Sequence, residues 1–271
     1  MPIHYIFPLH VSQVNHNKQV IMSQAIYEFP LNEKVRTYLR LEQLFKQLEQ
    51  GKTASEDWQY INFLDCLFTL LDLSERIDLR NDVLKDIESH EKNLVIWSQH
   101  PNIDAEALQF ALQKILRLRE SLKSNKKVGA ELKEDRFLAS IRQRFSIPGG
   151  TCSFDLPNLH YWLQQPSENK QQDILTWLQE LTPIQQAMEI TLSFLRERGR
   201  FGAVEAENGF YQGIAEDKNE LIRVLSSTNQ GYYPMLSGNK YRYAIRFTLF
   251  TPTMQGSASV DNKVSFKLAC C

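Results

Sequence analysis

Two arginines four positions apart, Arg242 and Arg246, offer the clearest chemistry in this chain. They lie in Lys240-Tyr-Arg-Tyr-Ala-Ile-Arg-Phe-Thr-Leu-Phe250, a run in which bulky apolar residues alternate with polar or small ones. Successive side chains of a strand take opposite faces. Tyr241, Tyr243, Ile245, Phe247 and Leu249 are therefore expected on a core face, and Arg242, Ala244, Arg246 and Thr248 on the other. The second face holds two guanidiniums, a methyl group between them, and no acid of its own. A guanidinium presents a fork of donors that fits a carboxylate or a phosphate. Its partner must come from another element or another molecule.

Catalytic constellations are weaker. No GxSxG, HExxH, Walker-type or GxGxxG pattern occurs. Gly149-Gly150 lacks the lysine and hydroxyl residue of a phosphate loop and reads as a turn. Ser153, Asp155 and His160 crowd into one short stretch, whereas triad members converge from separate elements. An unrecognised enzyme centred on His160 and Asp155 is the rival this leaves. The cysteines are Cys66, Cys152, Cys270 and Cys271, without metal-finger spacing, and they read as reduced thiols. Cys270 and Cys271 read as a strand end that packs small side chains, with redox control as the alternative. No metal and no cofactor is expected.

Composition narrows the partners. Of 271 residues, 42% are hydrophobic and 23% charged, enough for one large or two modest domains. Net charge is −1 and the pI about 6.6, so there is no global basic field for non-specific nucleic-acid binding. Basic faces with interleaved exposed aromatics are also lacking. A nucleic-acid-binding module using the same arginines is kept as the alternative function. No apolar run approaches the roughly 18 residues of a membrane span.

The elements that must position the arginines follow from periodicity. Residues 1–22 form an extension broken by Pro2, Pro8 and three histidines, without signal-peptide features, and Met22 is expected to be the equivalent start. A strand is expected within 23–31, an α-helical region over 32–199, and a β-strand domain over 200–271. The fold class is α+β: an N-terminal α-helical domain plus an antiparallel β-strand domain completed by the N-terminal strand. Asn32 reads as the cap of the first helix and Gly51 as its stop. That helix carries Arg36 and Arg40 one turn apart. Asp104 reads as a cap, and a helix over 130–145 carries Arg136, Arg142 and Arg144 before the break at Pro148-Gly149-Gly150. A short element is expected over 157–163, then two helices, 167–181 and 183–198. The second is opened by the capping box Thr182-Pro183-Ile184-Gln185. Strands are expected over 221–225, 241–250 and 264–268. Trp58, Phe63, Phe68 and Leu71 cover more than one face of their helix, which points to a dimer surface on the helical domain.

Several stretches together resemble the ZapD family of Z-ring-associated cell division proteins. They are Phe29-Pro-Leu-Asn-Glu-Lys34 with Arg36 and Arg40, Glu134-Asp-Arg-Phe-Leu-Ala139, and Arg142-Gln-Arg-Phe-Ser-Ile-Pro-Gly-Gly-Thr-Cys-Ser-Phe-Asp-Leu-Pro157. Leu159-His160, Trp162-Leu163, Asn208-Gly-Phe-Tyr-Gln212, Tyr233-Pro234, Ser237-Gly238, Lys240, Arg242, Ala244-Ile-Arg-Phe247 and Leu268-Ala-Cys-Cys271 continue the series. The resemblance runs from about Met22 to the last residue. It implies a cytoplasmic homodimer, recruited to the division site at midcell, with no enzymatic activity, no cofactor, no nucleic acid and no membrane insertion. Its implied partner is FtsZ, whose C-terminal peptide is held in a basic pocket so that the dimer cross-links and bundles filaments. Carried over residue by residue, the pocket candidates are Arg40, Arg76, Arg136, His160, Lys240, Arg242 and Arg246, with Arg36 and Arg144 as additions.

Overall fold

A computed structural model describes residues 23–75, 78–98, 104–123, 127–216, 218–250 and 258–271. The extension 1–22, with Met22, and Arg76 lie outside the described residues. The class is α+β, and the described residues fall into two compact units, 40–191 and 23–39 with 192–271.

The helices run α1 (Glu33–Gln50), α2 (Asp57–Glu75), α3 (Leu79–Trp97), α4 (Ala105–Leu122), α5 (Ala130–Glu134), α6 (Arg136–Phe145), α7 (Pro157–Leu163) and α8 (Ser167–Arg198). Asn32 caps α1, its Oδ1 accepting from the Val35 amide at 2.8 Å. α1 ends at Gln50, and the chain continues as a single 3₁₀ turn, Gly51–Thr53. Asp104 caps α4, accepting from the amides of Glu106 and Ala107. Both caps satisfy donors that a helix start leaves open. Of the α2 residues singled out for a dimer surface, Phe63, Phe68 and Leu71 are buried, and Trp58 is 66% exposed.

The first unit is organised around aromatic rings. Phe137 of α6 lies 5.4 Å from Trp162 of α7 and 6.0 Å from Trp177 of α8, centroid to centroid. Buried indoles need acceptors, and both have them: Trp162 donates to Asp173 at 2.8 Å and Trp177 to Asp135 at 3.4 Å. Lys170 is buried too; its ammonium donates to the Leu163 carbonyl at 2.6 Å and sits 4.4 Å from the Tyr60 ring centroid.

Two helical expectations are corrected. Residues 130–145 form two helices, because Asp135 leaves helical geometry and caps α6, accepting from the Leu138 amide at 2.8 Å. Residues 167–198 form one helix, with Pro183 inside it. Thr182 does not cap; its hydroxyl donates backward to the Leu178 carbonyl at 3.0 Å. Continuous burial of Trp177, Leu178, Leu181, Ile184, Ala187 and Met188 outweighs the local break signal.

The second unit holds the strands β1 (Gln24–Pro30), β2 (Gly202–Ala206), β3 (Phe210–Ile214), β4 (Leu221–Ser227), β5 (Tyr232–Gly238), β6 (Arg242–Leu249) and β7 (Val264–Cys270). They form two antiparallel sheets, ordered β1-β4-β7-β2 and β3-β6-β5. The N-terminal strand joins the first, running from Gln24 opposite Ser227 to Pro30 opposite Leu221. Ile222, Val224, Phe266 and Leu268 of one sheet share an apolar cluster with Tyr243, Ile245 and Phe247 of the other. Glu28 of β1 accepts from Arg196 at 2.6 Å and from Arg223 at 2.9 Å, so charge as well as register holds that strand. β2, β3 and β5 were not foreseen from the sequence.

All four cysteines are free thiols. Cys271 is buried and its backbone pairs with Leu221, while the Cys270 sulfur lies 3.4 Å from the Tyr243 hydroxyl. Both extend and pack the end of β7, as a small apolar strand end does.

Candidate functional site

β6 is the middle strand of its sheet, and its alternation holds over most of its length. Tyr243, Ile245 and Phe247 are buried, while Arg242 and Arg246 are exposed and Ala244 is half-buried between them. The ends depart from the pattern. Tyr241 precedes the strand and Leu249 closes it; both are exposed, and Thr248 is buried. Residues 258–260 pass alongside this end, with Ser259 bridged to Thr248.

Neither arginine meets a carboxylate among the described residues. Arg246 donates weakly to the Ser259 hydroxyl at 3.4 Å and lies 5.7 Å from the Phe210 ring centroid. The Arg242 side chain has no hydrogen-bonding or ionic partner among the described residues, and the Lys240 ammonium sits 4.9 Å from the Tyr241 ring centroid. Several other cations of the unit are spoken for. Arg196 and Arg223 pair with Glu28, Arg198 with Glu220, and Lys263 with Glu205 and Glu207. The two strand arginines therefore keep their donors available on a rigid surface. At about 3.3 Å per residue their Cα atoms stand about 13 Å apart.

The remaining candidates are divided between the two units. Arg36, on α1 in the second unit, pairs with Glu33 at 3.5 Å. Arg40 is exposed on α1 in the first unit. Arg136, Ser140 and Arg144 occupy one exposed side of α6, and Asn158 of α7 donates to the Ser140 hydroxyl at 2.6 Å. Arg136 has no ionic partner among the described residues. Arg144 is engaged by Asp155 at 2.7 Å, and Arg142 by Asp72 and by Glu75 at 3.1 Å. The Lys133 and Arg142 hydrogen bonds hold the Glu75 carboxyl below the usual carboxylate range.

His160 is exposed on α7, and no hydrogen bond joins it to Asp155. The Asp155 carboxylate instead accepts from Arg144 and, at 3.2 Å, from the Cys152 thiol. The acid and base of a triad are not assembled here. Among the described residues no group of His, Cys, Asp or Glu could hold a metal ion, and no helix is long and apolar enough to cross a membrane.

Residues missed by sequence reasoning border the arginines. Phe210, Gln212 and Ile214 of β3 lie on one side of β6, and Met235 and Ser237 of β5 on the other. One overlooked signal precedes β3. Asn208 and Gly209 both have positive φ, 51° and 65°, and turn the chain so that the Phe210 amide donates to the Glu207 carbonyl at 2.9 Å. Consecutive positive φ with Asn-Gly is the signature of a tight hairpin turn.

A family model for ZapD, described as a cell division protein, matches residues 39–246. The chain is also 42% identical over 250 residues to the cell division protein ZapD of Shewanella sp. (strain MR-4), covering 92% of this chain and all of the relative. The ZapD proteins of Photobacterium profundum and Vibrio cholerae serotype O1 (strain M66-2) are each 41% identical, over 90% and 92% of the chain and 98% and 100% of the relatives.

Proposed function

Because the chain belongs to the ZapD family of cell division proteins, we propose that it is a non-enzymatic division factor that captures the C-terminal peptide of FtsZ. As a homodimer it cross-links FtsZ filaments and bundles them at midcell. The observation that carries this reading is the outer face of β6, where Arg242 and Arg246 stand exposed without a carboxylate partner among the described residues. Carboxylates of a peptide fit those forks. Lys240, two positions before Arg242, adds charge, and Arg36, Arg40, Arg76, Arg136, Arg144 and His160 are the other peptide-binding candidates that the family resemblance implies.

The physical logic is avidity. A flexible tail loses entropy on binding, which weakens each single contact. A dimer offering two sites to filaments that carry many tails regains affinity, by roughly 10²–10⁴ once binding becomes intramolecular. Large apolar side chains left exposed on the helical unit, among them Trp58, Val95, Ile96 and Phe110, support dimerisation there.

The test is co-sedimentation of the protein with FtsZ filaments, intact and lacking the C-terminal peptide. Binding to intact filaments and not to tailless ones is expected. Equal binding to both overturns peptide capture.

A further inference from the structure

A groove of about 460 Å³ lies on the helical unit, between α2 and the turn that follows α6. None of the candidate cations lines it. Ile61 and Phe145, both half-buried, line it together with Trp58, Ile147 and Pro148. Trp58 is 66% exposed and Ile147 47%. One exposed apolar residue is ordinary, but here two large ones border the same concave surface.

The turn that forms one wall is tightly built. The Ile147 amide donates to the Arg144 carbonyl at 3.0 Å, and the Gly150 amide to the Ile147 carbonyl at 2.8 Å. Gly150 is required there, because an added Cβ would lie 2.4 Å from the Arg144 carbonyl oxygen. The charge of the groove is one-sided. Asp65 is the one charged residue of its lining, and it has no ionic partner among the described residues. Glu56 and Asp57, just before Trp58, add to the negative field. The cations that flank these segments in sequence are held elsewhere, Lys52 by Glu49, Arg142 by Asp72 and Glu75, and Arg144 by Asp155.

Spacing sets the shape of an occupant. Trp58 and Asp65 stand two turns apart on one side of α2, about 10 Å along its axis. An extended chain covers that distance in about three residues. An arginine or lysine stem lies well on apolar surface while its head reaches a carboxylate.

We infer that this groove is a second docking site, for an extended segment of a partner protein that carries an apolar residue and an arginine or lysine about three positions apart. The apolar residue packs on Trp58 and Ile147, and the cation pairs with Asp65. The charge requirement is the opposite of that on the β6 face, so the two sites select different segments. The inference does not depend on peptide capture. It takes Trp58 out of the dimer surface and leaves Val95, Ile96 and Phe110 to it.

The test is fluorine NMR of the full chain labelled with 5-fluorotryptophan. The chain has four tryptophans, and the Trp58 signal is the one lost in Trp58→Phe. The probes are the peptide Gly-Leu-Ser-Ser-Arg-Gly and the same sequence with citrulline or glutamate in place of arginine. The arginine peptide is expected to shift the Trp58 signal and to leave those of the buried Trp162 and Trp177 in place. Citrulline keeps the shape without the charge, and its peptide is expected to bind about two- to fivefold more weakly, the scale of one exposed ion pair. Asp65→Asn shows the same loss for the arginine peptide, and Asp65→Lys reverses the preference in favour of the glutamate peptide. The citrulline comparison uses the wild type alone, so it stands even where a variant misfolds. A Trp58 signal that no probe moves overturns the inference, as does equal binding of the three peptides. A shift caused by the FtsZ C-terminal peptide assigns the groove to peptide capture, and a lower oligomeric state in Trp58→Ala assigns it to a second copy. Either result overturns it as a separate site.

Discussion

Arg144 donates to Asp155 at 2.7 Å, and this one bond orders the candidate cations. A guanidinium already bonded to a carboxylate offers less to a ligand than one that is not. Arg144 must exchange a partner, whereas Arg246 only gives up a long bond to a hydroxyl. Arg144→Ala is therefore expected to weaken binding of the FtsZ peptide less than Arg246→Ala does. Calorimetric titration of both variants checks the order, and the reverse ranking would sink it.

Charge reversal at Arg242 or Arg246 is expected to abolish filament bundling and leave the oligomeric state unchanged, since both side chains are exposed at the surface of their sheet. Light scattering reads the bundles and analytical ultracentrifugation reads the assembly. Bundling by the wild type is also expected to weaken as salt rises, because exposed charges are screened beyond about 8–10 Å at physiological ionic strength. Bundling that survives in a folded Arg246→Glu variant removes the strand face from the site.

How much of this was readable beforehand differs by element. β6 was legible because bulky and polar residues alternate over its length and one face is buried. β3 and β5 were not. Gly213, Pro234, Ser237 and Gly238 lower their strand propensity, and exposed Phe210, Ile214 and Met235 break the rule that apolar residues point inward. The arginines were thus found and their apolar borders missed. Likewise Pro183 gave a sound local stop signal that the burial of both flanking turns of α8 overrode. Asp135 looked like one more helix residue until its two acceptors were placed, one on the Leu138 amide and one toward Trp177.

Those two bonds make Asp135 a structural hinge point between α6 and the aromatic cluster. Asp135→Ala removes a cap and leaves a buried indole donor without its acceptor, so a loss of about 1–3 kcal/mol is expected. Urea denaturation measures it. Asp135→Asn can still cap α6 and is expected to recover part of the loss; equal loss in both variants argues against the capping role.

Gly209 is expected to resist substitution for two separate reasons. Its φ of 65° disfavours any side chain, and an added Cβ would lie 2.4 Å from the Val260 carbonyl oxygen. Gly209→Ala should cost about 1–3 kcal/mol through strain and displaced backbone. Because the turn sets Phe210, peptide affinity should fall as well. A thermally unperturbed Gly209→Ala protein contradicts the geometry.

Burial holds the Tyr243 phenol neutral, and the Cys270 thiol beside it adds to the effect, so its pKa lies above the ordinary 10.0. A group raised in this way stabilises the fold fully below pH 10.0. Above that value the unfolded chain releases its proton first, and the contribution is lost as pH climbs toward the folded pKa. Thermal midpoints are expected to decline above pH 10.0, and less steeply in Tyr243→Phe. Tyr232, also raised by burial, keeps the decline from vanishing. Identical slopes in the two proteins would count against Tyr243 as the source.

Strand β1 binds β4 across most of the chain, and the Thr228 hydroxyl reaches the Ser23 carbonyl over 205 positions. During synthesis, β1 leaves the ribosome long before any strand it can pair with. The helical unit, encoded in between, has its whole sequence available first and is expected to collapse first. Until β4 and β7 arrive, β1 is an unpaired edge, a state that invites wrong partners. The sheet that β1 opens is thus completed last, so a chain cut short between Leu249 and Val264 would carry every helix and every strand of the arginine-bearing sheet and still lack β7, the partner of both β4 and β2.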